Sequence, residues 1–534
     1  MKNFKLLGLG LVALASIGTL TGCGSSEYDS KGRLILNLKN VYFEQWTGED
    51  RYTEILNDKF GVKIKASGYD YNEWDGMVYT AVNGDNLPDA FHFNLKAYNY
   101  GSTYESWVKK QMLKPLPKDL SRWKNLSKML SNVSNVEELK KIDGNLYCIP
   151  IMNDINNVKK DFSNFTYVYR RDLVKAIDEK NKNKAGYEPL YREGDVYTWD
   201  EFERMVDALS KNPIDTQKAV IADQGWAFPS ITNFYKDAPH CFGKDENGKA
   251  INNFTSANYI EGLERSKYYV DKLYYSPDQF NYTPEDNRAN ESYLGGQSVI
   301  LYDNFSLSNY SKFRKAFKKN QETVDLDDGT AFLKIKDKDG KFALEGTENW
   351  FSATFFSYAT SDQKMEKILD IIDYLLSEEG TRFAVYGEEG YDYNIVDGEI
   401  VLSSRGWERS IDTGEYPPKT MGGKYLRYMA TLGNDTQSYD PFTNLDDYSI
   451  LTSWMNEMKK AKEDGLLRVV QEPTDISWMS TPTKNDKTNS LLNDANVSAA
   501  KYCFGKSSMD KYLNELDTNN WKTVLAEINE KLGK

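Results

Sequence analysis

RLILNL (residues 33–38) is followed by TGEDRYTEILNDKF (47–60) and then by GVKIKASGY (61–69). The first segment reads as a strand. The second reads as an amphipathic helix that stops at Gly61, where the chain turns into another strand, VKIKASGY. Strands alternating with helices are the mark of α/β domains. The same alternation continues outward. A helix is expected at residues 74–82, leading through NGDNLPDAFHF (83–93), a turn and a short apolar strand. Further strands are expected at NLYCIP (145–150) and FTYVYR (165–170), each followed by helical sequence.

Two helices can be read residue by residue. In YTWDEFERMVDALSKN (197–212), Thr198 and Glu201 have capping-box spacing, and Phe202, Met205, Val206 and Leu209 fall on one buried face. In ATSDQKMEKILDIIDYLLSEEG (359–380), Thr360 and Gln363 repeat the cap. Met365, Ile368, Leu369, Ile372, Leu375 and Leu376 form the stripe, and Gly380 is expected to end the helix. Both stripes are core faces.

The amino terminus has its own pattern. Lys2 and Lys5 precede an apolar run over residues 6–20, which is 15 residues long and too short to cross a bilayer as a helix. Thr21 and Gly22 are small, and Cys23 follows. The layout is that of a signal peptide, residues 1–22, to be left out of fold reasoning. It resembles a bacterial lipobox, which implies acylation of Cys23, a polar tether over 23–32 and attachment to the outer face of the cytoplasmic membrane.

At 534 residues, two or more domains are expected. The net charge is −13, and removing residues 1–22 leaves −15, which argues against nucleic acid as a partner and against adhesion to anionic lipid beyond the anchor. Cys148, Cys241 and Cys503 are widely spaced and odd in number, so buried free thiols are expected rather than a disulfide framework. The 37 Tyr, 24 Phe and 11 Trp are high for a chain of low hydropathy, and Tyr and Trp suit a partly wet gripping surface.

Several motifs look chemical and are read otherwise. AKYCFGKS (500–507) has phosphate-loop spacing but follows polar sequence, so a turn before the helix SMDKYLNEL is expected. KDENGK (244–249) and KDKDGK (336–341) lack the ligand spacing of a calcium loop and read as hairpin turns. DLDDG (325–329) reads as a solvated loop, and KFRKAFKKN (312–320) as a surface helix docking through Phe313 and Phe317. With only His92 and His240, no CxxC and no GxSxG, neither a zinc site nor a serine-hydrolase elbow is indicated. No metal or cofactor is expected. A carboxylate pair for glycoside hydrolysis stays open among 80 acidic residues.

Several segments in order resemble the extracellular solute-binding proteins of family 1, the oligosaccharide-type receptors of ABC importers. They are LNDKFGVKIKA, GDNLPDAFHF, DGNLYCIP, YVYRRDLVKAI, YTWDEF, LGGQSVILYDNF and ILDIIDYLLSEEGTRFAVYGEEGYDYNIVDGE. Tyr197 stands where that family usually has Thr or Lys, and Val299 and Ile300 where it has Ala and Met. The resemblance implies a two-lobe, class II type periplasmic-binding-protein-like α/β fold with a central ligand cleft. Hinge passages are expected near residues 148–151 and 332–344. Lobe one is then 33–148 plus 345–450 and lobe two 150–335 plus 450–534. It further implies a monomeric receptor that closes on an oligosaccharide and delivers it to a membrane permease, with no catalysis.

Ligands of open α/β sheets bind beyond the carboxyl ends of strands, and a sugar needs flat rings with planar polar groups between them. Residues of those types past strand ends are Tyr42, Trp46, Phe93, Asn94, Asn153, Asp154, Asp303 and Asn304. Trp226, Trp350, Tyr391 and Trp407 lie in loop-like stretches that could rim the cleft. The competing readings are an anchored glycoside hydrolase, a receptor for a peptide or other solute, and a structural or adhesive lipoprotein.

Overall fold

The computed structural model describes residues 27–534 except 44–45, 71–72, 85, 96–99, 154–161, 284–285, 407, 409–420 and 433–448. The signal peptide, Cys23, Asp154 and Trp407 therefore lie outside the described residues.

The opening segments form the expected strand–helix–strand unit. Strand Leu34–Asn40 runs parallel to Val62–Gly68, paired from Leu34 with Val62 to Asn40 with Gly68. Between them lies helix Arg51–Phe60. Its start is fixed by Asp50, whose side chain accepts hydrogen bonds from the Tyr52 and Thr53 amides. Its end is fixed by Gly61 at φ 67°, a left-handed turn that glycine enters without a Cβ clash.

These strands belong to a five-stranded sheet in the order Val62–Gly68, Leu34–Asn40, Ala90–Phe93, Trp350–Phe356 and Cys148–Met152. The first three are parallel, and Trp350–Phe356 is antiparallel to both neighbours. A second sheet orders Thr330–Phe332, Phe165–Arg170, Ile300–Asn304 and Ile221–Asp223. A third orders Leu467–Val470, Phe342–Glu345, Lys334–Lys336 and Val196–Thr198. One buried apolar cluster draws on residues 34–152 and 350–430; two others draw on 162–344 with 451–467 and on 167–335 with 476–528.

Two of the chain's passages between these groups are adjacent. Strand Cys148–Met152 leads out of the first sheet, and Phe165–Arg170 begins the second. The return does not fall at 332–344, because those residues carry strands of the second and third sheets. It comes between Glu345 and Trp350. The two passages lie side by side: the Asn153 amide donates to the Asn349 carbonyl at 2.8 Å, and Phe162 bridges to Gly346.

The capping box at Thr198 and Glu201 is present, with the Thr198 amide donating to Glu201 Oε2 at 2.9 Å. The next reading needs correcting. Ser361, not Thr360, caps helix Asp362–Leu375, while Thr360 Oγ1 donates to the Asp89 carbonyl. Nor does Gly380 end that helix; it sits in the following one, Glu378–Tyr386, where Ser377 caps the Gly380 amide. DLDDG is also corrected. Residues Leu326–Gly329 form one helical turn, started by the Asp325 carboxylate accepting from the Asp327 and Asp328 amides.

Both hairpin expectations hold, since Phe242–Lys244 pairs with Ala250–Asn252 and Lys336 pairs with Phe342. In each turn one carboxylate oxygen of an aspartate, Asp245 or Asp337, accepts two backbone amides. AKYCFGKS ends helix Pro482–Cys503 and turns into helix Met509–Leu516. Phe313 and Phe317 are buried on helix Leu307–Asn320. Cys148, Cys241 and Cys503 are buried and free, and burial raises each thiol pKa.

Candidate ligand-binding site

The register of the two main sheets sets where a ligand can meet them. In the first, the carboxyl ends of the parallel strands are Asn40, Phe93 and Met152, the last beside the outgoing passage. In the second, Ile300–Asn304 and Ile221–Asp223 are parallel, and Asn304 pairs with Phe165, the residue at which the incoming chain starts its strand. Both sets of carboxyl ends therefore lie toward the passages, the side on which ligands of open α/β sheets bind.

The second group supplies the better-built half. The segment Gln224–Ser230 leaves strand Ile221–Asp223 and carries Trp226, which is 40% exposed. Its ring is backed by Phe165 at 5.2 Å and lies 6.4 Å from Tyr302. Gly225 is required there, because a Cβ on it would lie 2.1 Å from the Thr283 carbonyl oxygen. Asp303, the next carboxyl-end residue, accepts from Asn290 Nδ2 at 2.9 Å and Gln224 Nε2 at 3.2 Å through Oδ2, and from the Asn304 amide through Oδ1. Burial raises the Asp303 pKa, with these three hydrogen bonds opposing it. Among the described residues no cation pairs with it. Asn304 accepts through its carbonyl from Asn309 Nδ2, and Asn233 Nδ2 donates to the Tyr302 hydroxyl at 3.0 Å.

The first group offers less. Tyr42 is half-buried between His92 (5.5 Å) and Tyr428 (5.4 Å), just past the first strand. His92 is fully buried, its ring 4.3 Å from that of Trp74 and tilted 44° to it, and it is held neutral by burial, its pKa well below the usual range. Asn94 and Asn153 are half-buried at strand ends.

Three expected platforms are corrected. Trp46 is 5% exposed, stacks on Tyr425 and donates Nε1 to Asp50 Oδ2 at 2.7 Å, so it serves the cap of the first helix. Phe93, 3% exposed, packs on Trp107 and Phe355. Trp350 is fully buried and donates Nε1 to the Ser134 carbonyl at 2.8 Å. None has an open ring face. Tyr391 has Arg51 over its ring at 4.1 Å and Arg405 at 4.6 Å, so cations occupy its faces.

Residues missed from sequence are Phe165, Gln224, Asn233, Asn290 and Tyr302. Phe165 carried a usable signal as the first residue of a strand legible in the sequence; Gln224, Asn233 and Asn290 come from elements the sequence reading did not single out. Among the described residues, no group of three or more His, Cys, Asp or Glu side chains is placed to hold a metal ion.

A family model for the bacterial extracellular solute-binding proteins matches residues 51–387, more than half of the chain. The chain belongs to that family. It is an extracellular solute-binding protein rather than an enzyme. Solved structures share its fold over nearly its whole length. A solute-binding protein from Bifidobacterium longum subsp. infantis aligns with TM-score 0.63 and 13% identity, covering 94% of this chain and 100% of that one. An alginate-binding protein, AlgQ2, aligns with TM-score 0.61 and 13% identity over 94% and 98%. FusA, an ABC-transporter substrate-binding protein of S. pneumoniae in complex with kestose, aligns with TM-score 0.60 and 14% identity over 93% and 99%. No curated protein sequence matches. At these identities the likeness establishes the solute-binding α/β fold, as expected from sequence, and not the solute.

Proposed function

We propose that this solute-binding protein captures an oligosaccharide by lobe closure and delivers it to the permease of an ABC importer. The observation that carries the reading is the pairing of a backed, exposed indole with an unneutralised carboxylate. Trp226 presents a flat apolar face to sugar C–H groups, and Asp303, tied to the same segment through Gln224, accepts from hydroxyls. Asn304, Asn153, Asn94 and Tyr42 complete the proposed lining. Neighbours of the same fold whose solutes are named, alginate and kestose, support a carbohydrate.

The lobes are proposed as 33–148 plus 350–450 and 150–345 plus 450–534, with the return passage at 346–349. The separate apolar clusters and the two adjacent passages support this division. Solute bridging both sides then favours the closed form. Cys23 is proposed as the acylated anchor that keeps the receptor beside its permease and raises its effective concentration there.

A thermal-shift screen over plant, host and microbial oligosaccharides tests this. At 100 times its dissociation constant, a bound sugar stabilises the protein by about 2.7 kcal/mol, and its mass is unchanged after incubation. A shift with peptides and none with any sugar would replace the reading with a peptide receptor.

A further inference from the structure

Beneath Trp226 lies a carboxyl group that the ligand reading does not use. Asp223 is the last residue of strand Ile221–Asp223 and is fully buried. Its Oδ2 accepts from the Ser230 amide at 2.9 Å and from the Tyr275 hydroxyl at 3.1 Å. Its backbone is clamped by one side chain: the Asp223 amide donates to Gln279 Oε1 at 3.1 Å, and Gln279 Nε2 donates to the Asp223 carbonyl at 2.8 Å. The carboxyl group thus joins residue 223 to residue 230 and closes the segment that carries Trp226. Inside the closure, the Ala227 and Phe228 amides donate to the Gln224 carbonyl. Gln224 in turn reaches Asp303.

The other carboxyl oxygen, Oδ1, is buried with no hydrogen-bond partner among the described residues. The titratable groups facing Asp223 are Tyr167, Tyr275, Tyr302 and Cys503, none of them a cation. Tyr167 also hydrogen-bonds the Ser230 hydroxyl. An ionised Asp223 would leave one charged oxygen dry and unpaired.

We propose that Asp223 is a positioning residue for Trp226, and that its protonation state sets the seat of the Gln224–Ser230 segment and so makes solute capture pH-dependent. The inference rests on the reading of Trp226 as the sugar platform. Burial pushes this carboxyl up to about 7, so the proton is exchanged in the range an extracellular receptor meets. When protonated, Asp223 offers a donor as well as acceptors. When ionised, it draws the Ser230 amide and the Tyr275 hydroxyl more tightly and pulls on the far end of the segment.

The test needs no sugar. The full chain is labelled with 5-fluorotryptophan, the Trp226 resonance is assigned with Trp226→Phe, and its ¹⁹F shift is followed from pH 5.5 to 8.5 in the parent and in Asp223→Asn. The expected result is a titration of the Trp226 resonance with its midpoint near neutrality in the parent and a flat profile in the variant. A pH-independent Trp226 resonance in the parent overturns the proposal, whether or not the variant folds. So does an unchanged titration in Asp223→Asn, which would assign it to another group. Absence of a thermal shift with every sugar would sink the carbohydrate reading while leaving this titration intact, so the two failures are distinguishable.

Discussion

The Trp226 ring lies 5.2 Å from that of Phe165 and tilted 51° to it, with 40% of the tryptophan still facing solvent. Trp226 stands on a segment leaving one strand, and Phe165 starts the strand that follows the first passage. The contact holds the indole before any solute arrives. A stacking partner then meets an already ordered ring, which lowers the side-chain entropy lost on binding.

Replacing Trp226 with Ala is therefore expected to weaken oligosaccharide binding strongly while leaving stability nearly intact. Loss of one stacked ring corresponds to roughly 1–3 kcal/mol, or about 5- to 150-fold in affinity, by analogy with base–aromatic stacking. Calorimetry gives the affinity, and urea unfolding gives the stability. Unchanged affinity would remove Trp226 from the site.

Asp303→Asn separates charge from shape. Burial raises the Asp303 pKa above its ordinary value of 3.8, so the folded protein holds this proton more tightly than the unfolded chain. Its contribution to stability is present below the unfolded pKa and declines as pH rises through the folded one. The asparagine variant lacks that decline, and its stability is expected to be equal to or above that of the parent at pH 7. Its affinity for hydroxyl-rich solutes falls, because a hydrogen bond to a charged acceptor is worth about 1.5–3 kcal/mol against 0.5–1.5 for a neutral one. Urea midpoints across pH 4–8, with affinities at pH 7, check both halves.

Trp350 is expected to behave in the opposite way to Trp226. It is fully buried, with Nε1 on the Ser134 carbonyl, and its ring lies 6.2 Å from Trp478. Trp350→Ala should cost about 3–5 kcal/mol of stability and leave the affinity of the folded fraction close to that of the parent. Chemical unfolding and calorimetry again separate the two effects.

The contrast between these tryptophans explains what the sequence could reveal. Alternating strands and striped helices depend on local spacing, so the strand–helix–strand start at residues 33–69 and the face of Phe202, Met205, Val206 and Leu209 were legible. Whether an aromatic past a strand end folds inward depends on partners far away. Trp350 needs Ser134, and Trp226 needs Phe165. Trp46 was the more avoidable error, since its partner Asp50 is four residues on and is itself the cap of the first helix. Adjacent Thr360 and Ser361 offer the same cap chemistry, and only the tertiary hydrogen bond from Thr360 to Asp89 decides between them. The site was half legible for the same reason: Asp303 closes an apolar strand and Trp226 stands in a loop-like stretch, while Asn290 and Asn233 reach in from separate elements.

Gly380 gives the last prediction. It lies in helix Glu378–Tyr386, whose start crosses the end of helix Asp362–Leu375 so closely that a Cβ on residue 380 would sit 1.9 Å from the Tyr374 carbonyl oxygen and 2.7 Å from the Leu375 Cα. Both obstacles are backbone, so no side-chain rotation relieves them. Helix propensity alone would favour alanine over glycine by about 1 kcal/mol. Forced separation of packed elements typically costs about 1–3 kcal/mol, sometimes more. With contacts this short, the clash outweighs the propensity gain, and Gly380→Ala is expected to be net destabilising. Urea unfolding of the variant measures the sign directly; a stability gain would show that the two helices can part without loss.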